Sequence, residues 1–158
     1  MTRGRGTLDD NRSGAALPAA GQRRRLRLAD LPKPVARSRA FTRQALADWS
    51  WLTPATGADP DVADDVVLLV AELVANAMMH GGGPLELVLD ASADRLRVEV
   101  SDGESALPEP RLPHLPGLPG GHGLFIIQRA ADRWGAERHE QGKAVWVEID
   151  VRRLAPGR

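Results

Sequence analysis

The residues best able to do chemistry fall in a few short stretches. Glu72 and Asn76 are four apart and His80 follows four later. On a helix, Glu72 and Asn76 lie within about 40° of each other; His80 extends that edge by a turn, and Asp65 lies on it about two turns earlier. The Asn76 oxygen is a hard ligand suited to Mg²⁺, which keeps several waters and takes other oxygens from phosphates. The Glu72 carboxylate can accept a proton from a hydroxyl or water attacking a terminal phosphate. Further on, Asp102-Gly103 follows a strand-like run. A carboxylate there can accept a hydrogen bond from a base amino group, and Gly103 lets backbone approach a flat ring. Gly120-Gly121-His122-Gly123-Leu124 then precedes a helical pattern. Glycines before a helix start expose backbone N–H groups toward one point, which attracts phosphate.

Each signal also has a plainer reading. Polar edges flank most amphipathic helices, and His80 can simply oppose a helix C-terminal dipole. Asp-Gly is a common turn dipeptide, and a short Gly-x-Gly can be a hinge. The glycine stretch is neither a Walker loop nor a full dinucleotide fingerprint.

The elements that must position these residues follow from hydrophobic periodicity. Leu26 and Leu28 alternate with Arg27 as in a short strand, and Pro32 and Pro34 then break the chain. Val35 to about Trp49 has mostly helical spacing. Asp59-Pro60 is a good helix start, and Val66, Leu69, Val70, Leu73 and Ala77 form an apolar stripe that runs to about Met79. Gly81, Gly82 and Gly83 stop that helix. Leu85–Leu89 and Leu96–Ser101 alternate with period two across a short link, which predicts an antiparallel hairpin. A loop carrying Pro108, Pro110, Pro113, Pro116 and Pro119 leads to the glycine stretch and a helix through Leu124, Ile127 and Ala131. A last hairpin spans Trp134–Glu140 and Ala144–Val151, turning at Gln141-Gly142, with Val145, Val147, Ile149 and Val151 on its buried face. The order predicts an α/β (α+β) two-layer sandwich: a mixed, mostly antiparallel sheet with helices packed on one face. The domain is expected over residues 23–153, after a disordered leader at 1–22 and before a tail at 154–158.

Composition narrows the function. The chain has 158 residues, enough for one domain with a core, and its formal net charge is zero. Neither a nucleic acid nor a membrane surface is favoured by that balance. Arg23-Arg24-Arg25 could be a basic arm, but such a run is more often a solvated flank. No cysteine is present, which excludes disulfides, thiolate metal sites and a cysteine nucleophile. No apolar run suits a membrane span or a signal peptide, so a cytoplasmic protein is expected.

Taken in order, these stretches resemble the GHKL ATPase superfamily of gyrase, heat-shock chaperone, histidine kinase and mismatch-repair ATPases. Glu72-Leu-Val-Ala-Asn76-Ala-Met-Met-His80 resembles its N-box, Val100-Ser-Asp102-Gly103 its first glycine box, and Gly121-His122-Gly123-Leu124 its second. The segment from Gly123 through Asp132 and Trp134 is most similar to the small stand-alone branch, the anti-sigma-factor serine kinases and their regulatory relatives. The resemblance spans about residues 26–151 and implies the histidine kinase-like ATPase fold. It implies ATP and Mg²⁺ as cofactors, Glu72 as general base and Asn76 as the Mg²⁺ ligand. It also implies Asp102 with Gly103 at the adenine, and Gly121, His122, Gly123 and Leu124 around phosphate, with His80 at the same pocket. Residues 104–119 would be the ATP lid. The implied partners are a sigma factor and an anti-anti-sigma (STAS-type) protein phosphorylated on serine, and a homodimer is implied too.

The sequence departs from that pattern in places that bear on catalysis. Glu104 and Ser105 follow Gly103 where many relatives have a second glycine. His122 stands where Arg is frequent, which removes a fixed positive charge near the γ-phosphate. The prolines stiffen the lid. Two functions are therefore expected in competition: a serine kinase acting on a small partner protein, and a nucleotide-gated binding module without catalysis. A histidine kinase fragment is disfavoured because the first helical segment has no histidine.

Overall fold

The computed structural model describes residues 17, 18, 20–51, 61–80, 82–103, 127 and 130–154. Strand β1 is Gln22–Arg27, helix α1 Pro34–Asp48 and helix α2 Asp61–His80. Strands β2 (Pro84–Ala91) and β3 (Arg95–Asp102) form the first hairpin, β4 (Arg133–His139) and β5 (Gly142–Asp150) the second, and a short α3 covers Val151–Leu154. The sheet order is β1-β2-β3-β5-β4. All four pairings are antiparallel, so the expected mixed sheet has no parallel pair among the described residues.

Period two sorts the side chains cleanly. Leu87, Leu89 and Ala91 of β2, Leu96, Val98 and Val100 of β3, and Val147 and Ile149 of β5 are buried on the core-facing side. Val145 lies half-buried in the same row. Val151, expected in that row, instead begins α3, whose Leu154 is buried. The opposite face is charged. There Glu148 is covered by Arg133 at 2.9 Å, Arg97 at 3.4 Å and Arg95 at 3.5 Å, and the Arg97 guanidinium lies 4.4 Å from the centroid of the Trp146 ring.

Pro34, expected only to break the chain, is the first residue of α1, where its missing N–H costs nothing. Helix α1 ends with Ser50 in the left-handed region (φ 63°), and the Trp49, Ser50 and Trp51 amides turn back to the last carbonyls. Arg24 pins β1 to that end through Asp48 at 2.8 Å and the Trp49 ring at 5.2 Å. The arginine run thus lies in a strand, with Arg23 on Asp90 at 2.9 Å.

Helix α2 is buried more widely than its stripe predicts. Val66, Leu69, Val70, Leu73 and Ala77 are buried, and so are Val62, Ala63, Val67, Ala71 and Val74. A helix that is apolar over so much of its circumference must be covered on two sides: α2 meets the sheet on one and α1 on another. The expected start at Asp59-Pro60 lies outside the described residues, as do most of the leader, the proline-rich loop, the glycine stretch and most of the helix after it.

Candidate functional site

Burial of α2 by two neighbours leaves one half-buried edge. Its members are Asp65, Leu68, Glu72, Ala75 and Asn76, spaced by three, four, three and one residues. That spacing marks one narrow side of a helix. Glu72 and Asn76 therefore share the edge expected of them. Among the described residues, neither side chain is engaged by a hydrogen bond or an ion pair. A carboxylate and a carboxamide held half-buried beside a core, with their oxygens uncommitted, have capacity for an external donor or cation. His80 is the last residue of α2. Gly82 and Gly83, both at positive φ, end the helix as expected and turn the chain into β2.

That turn delivers the strand-end residues to the same region. Pro84, the first residue of β2, pairs in register with Asp102, the last of β3. The Gly103 amide donates to the Gly83 carbonyl at 3.4 Å. The turn that follows α2 and the Asp102-Gly103 corner are therefore stitched together by backbone. Asp102 continues the core-facing row Leu96, Val98, Val100 and is 3% exposed, whereas Gly103 is exposed. A buried carboxylate requires a compensating partner. It has one in Lys143, whose Nζ lies 3.2 Å from Oδ1 and 3.1 Å from Oδ2.

Lys143 is the residue that sequence reasoning missed. It is opposite Asp102 in the β3–β5 register and is buried. A usable signal existed: Lys143, Val145, Val147 and Ile149 alternate, so the lysine occupies a core-facing position. Gly142, expected within the turn at Gln141-Gly142, lies past it. The turn is Glu140-Gln141, and Gly142 opens β5. A Cβ there would collide with the Asp102 carbonyl oxygen and stand 2.7 Å from the Gly103 carbonyl carbon, so only glycine permits this close approach of β5 to the corner.

The metal question turns on donor chemistry. Among the described residues no group of three His, Asp or Glu side chains converges to hold an ion. A Mg²⁺ site built from one carboxamide oxygen, waters and phosphate oxygens needs no such cage. Asn76, half-buried and uncommitted, fits that donor set. Gly121, His122, Gly123 and Leu124, the expected phosphate wall, lie outside the described residues.

An open antiparallel sheet with helices packed against it defines an α+β domain. The profile of the histidine kinase-like ATPase domain matches residues 32–149, from before α1 almost to the end of β5. The chain belongs to that family and is an ATP-binding domain of the GHKL type. No curated protein matches the chain. No helix among the described residues is long and apolar enough to cross a membrane.

Proposed function

We propose that the protein is an ATP-dependent regulator that phosphorylates a serine of an anti-anti-sigma (STAS-type) partner and, by alternation, sequesters a sigma factor. The observation that carries the reading is the edge of α2. Glu72 and Asn76 are half-buried, one turn apart and without a partner among the described residues, on the helix whose following turn is stitched to the Asp102-Gly103 corner.

In this reading Asp102 takes the amino group of adenine, with Gly103 beside the ring. Asn76 would hold Mg²⁺ through its carboxamide oxygen, and the ion would supply charge neutralisation at the phosphates. His80 and the segment Gly121, His122, Gly123 and Leu124 border the phosphates. Glu72 accepts the proton of the partner's serine hydroxyl as that oxygen bonds to the γ-phosphorus; the bond to the β-phosphate oxygen breaks and ADP departs. His122 in place of a permanent cation favours slow transfer, and a non-catalytic, nucleotide-gated binding module is the second reading.

The chain would be incubated with radiolabelled ATP, Mg²⁺ and candidate STAS-type partners, beside Glu72→Ala and Asn76→Ala. Label should pass to a partner serine with the wild type, and Glu72→Ala should bind ATP without transfer. ATP binding with no transfer in any pairing would sink the kinase reading and leave the gated module. Asn76→Ala should lose the Mg²⁺-dependent part of the affinity.

A further inference from the structure

The buried lysine beside Asp102 has no role in the chemistry described so far. We infer that Lys143 is a second base-reading residue of the nucleotide pocket, donating to a ring nitrogen next to the amino group that Asp102 accepts. The inference rests on the reading of Asp102 as the base contact.

Two charged side chains end two core rows at the same level. Leu96, Val98 and Val100 lead to Asp102 in β3, and Ile149, Val147 and Val145 lead to Lys143 in β5. Burying both ions is costly, and a hydrophobic pair at these positions would hold the strands together equally well. The pair lies on the side of the sheet that faces α2, the same side as the base contact proposed for Asp102. Nζ is nearly equidistant from Oδ1 and Oδ2, at 3.2 and 3.1 Å, so the ammonium sits astride the carboxylate. An amino group accepted by the same carboxylate would lie beside the lysine. An ammonium has three N–H donors, and two are directed at Asp102. Among the described residues, Asp102 supplies the only acceptors for Lys143. The third donor is available to whatever lies against the pair.

A carboxylate next to an ammonium reads a donor next to an acceptor. Adenine offers that combination on both sides of its amino group, through N1 and through N7. Lys143 would also fix the Asp102 rotamer, so the two act as one unit.

The test is a titration calorimetry cycle on the full chain with Mg²⁺. The probes are ATP and two analogues, with N1 or with N7 replaced by C–H; the proteins are wild type, Lys143→Met and Asp102→Asn. A hydrogen bond to a charged group is strong enough that its loss weakens binding by about tenfold or more. One analogue should bind wild type about tenfold more weakly than ATP, and that penalty should vanish on Lys143→Met. Full affinity of both analogues for wild type would overturn the inference without any variant, so the test survives if Lys143→Met fails to fold. A penalty that persists unchanged in Lys143→Met would overturn it too. Failure of the underlying reading looks different: Asp102→Asn would then bind ATP as the wild type does.

Discussion

Replacing Gly142 by alanine should damage stability and nucleotide binding together. A Cβ at this position collides with the Asp102 carbonyl oxygen and stands 2.7 and 2.8 Å from the carbonyl carbon and Cα of Gly103. Every one of these atoms is backbone, so no rotamer change relieves the contact. Widening 2.7 Å to the 3.4 Å of ordinary contact parts β5 from the end of β3 by about 0.7 Å at least. Overpacking of this kind costs about 1–3 kcal/mol. The positive φ of 153° adds backbone strain for any residue with a side chain, commonly about 1–3 kcal/mol. Gly82 supplies the control, because its φ is also positive (63°) but a Cβ there meets nothing within 4 Å. Gly82→Ala should therefore cost only the left-handed penalty, about 1–2 kcal/mol. Urea unfolding of the two variants side by side isolates the collision as the difference in midpoint at unchanged slope. Gly142→Ala should be the less stable by about 1–3 kcal/mol, and ATP titration should show weakened binding if the proposed base contacts Asp102 and Gly103 are displaced. Equal destabilisation of the two variants would refute the reasoning.

Other perturbations probe the rest of the frame. Burial works to raise the Glu148 carboxyl, but the hydrogen bond from Arg133 and the charges of Arg95, Arg133 and Arg97 outweigh it and hold the group below its ordinary range. Its contribution is therefore fully present above the unfolded value of about 4.3 and is lost as pH falls through the lower folded value. Acid titrations of stability should show a shallower decline below about pH 4.3 for Glu148→Gln than for the wild type. Leu89→Ala empties a fully buried position of β2 facing the helices, and chemical unfolding should report a loss of about 2–5 kcal/mol. Gly135→Ala puts a methyl 2.7 Å from Cζ2 of Trp146; tryptophan fluorescence should shift as the ring leaves its place under Arg97, with a cost of about 1–3 kcal/mol.

Much of the architecture was legible because it depends on local rules. Alternation with period two placed β2, β3 and β5, the last hairpin placed β4, and helical spacing placed α1 and α2, with boundaries within a few residues of those observed. The stripe of α2 named five residues that are all buried. The second buried flank, including Val67, Ala71 and Val74, could not be read from the stripe, because it depends on where α1 docks. The same docking leaves Glu72 and Asn76 on a half-buried edge, so the sequence proposed that edge and packing decided its exposure.

By itself, then, the sequence determined the residue types able to meet a nucleotide, their order along the chain and the elements that carry them. Tertiary structure decided which of them stand together. Asp102 and Lys143 are 41 positions apart in sequence, yet the β3–β5 register sets them opposite each other, with the ammonium 3.1 Å from the carboxylate. The sheet brings Pro84 against Asp102, which draws the end of α2 to that corner, and Gly142 lets the second hairpin close onto it. The physical reason is that periodicity is a short-range property of the chain. Register between strands distant in sequence is settled by which rows can be buried together, and only then does a buried charge find its partner.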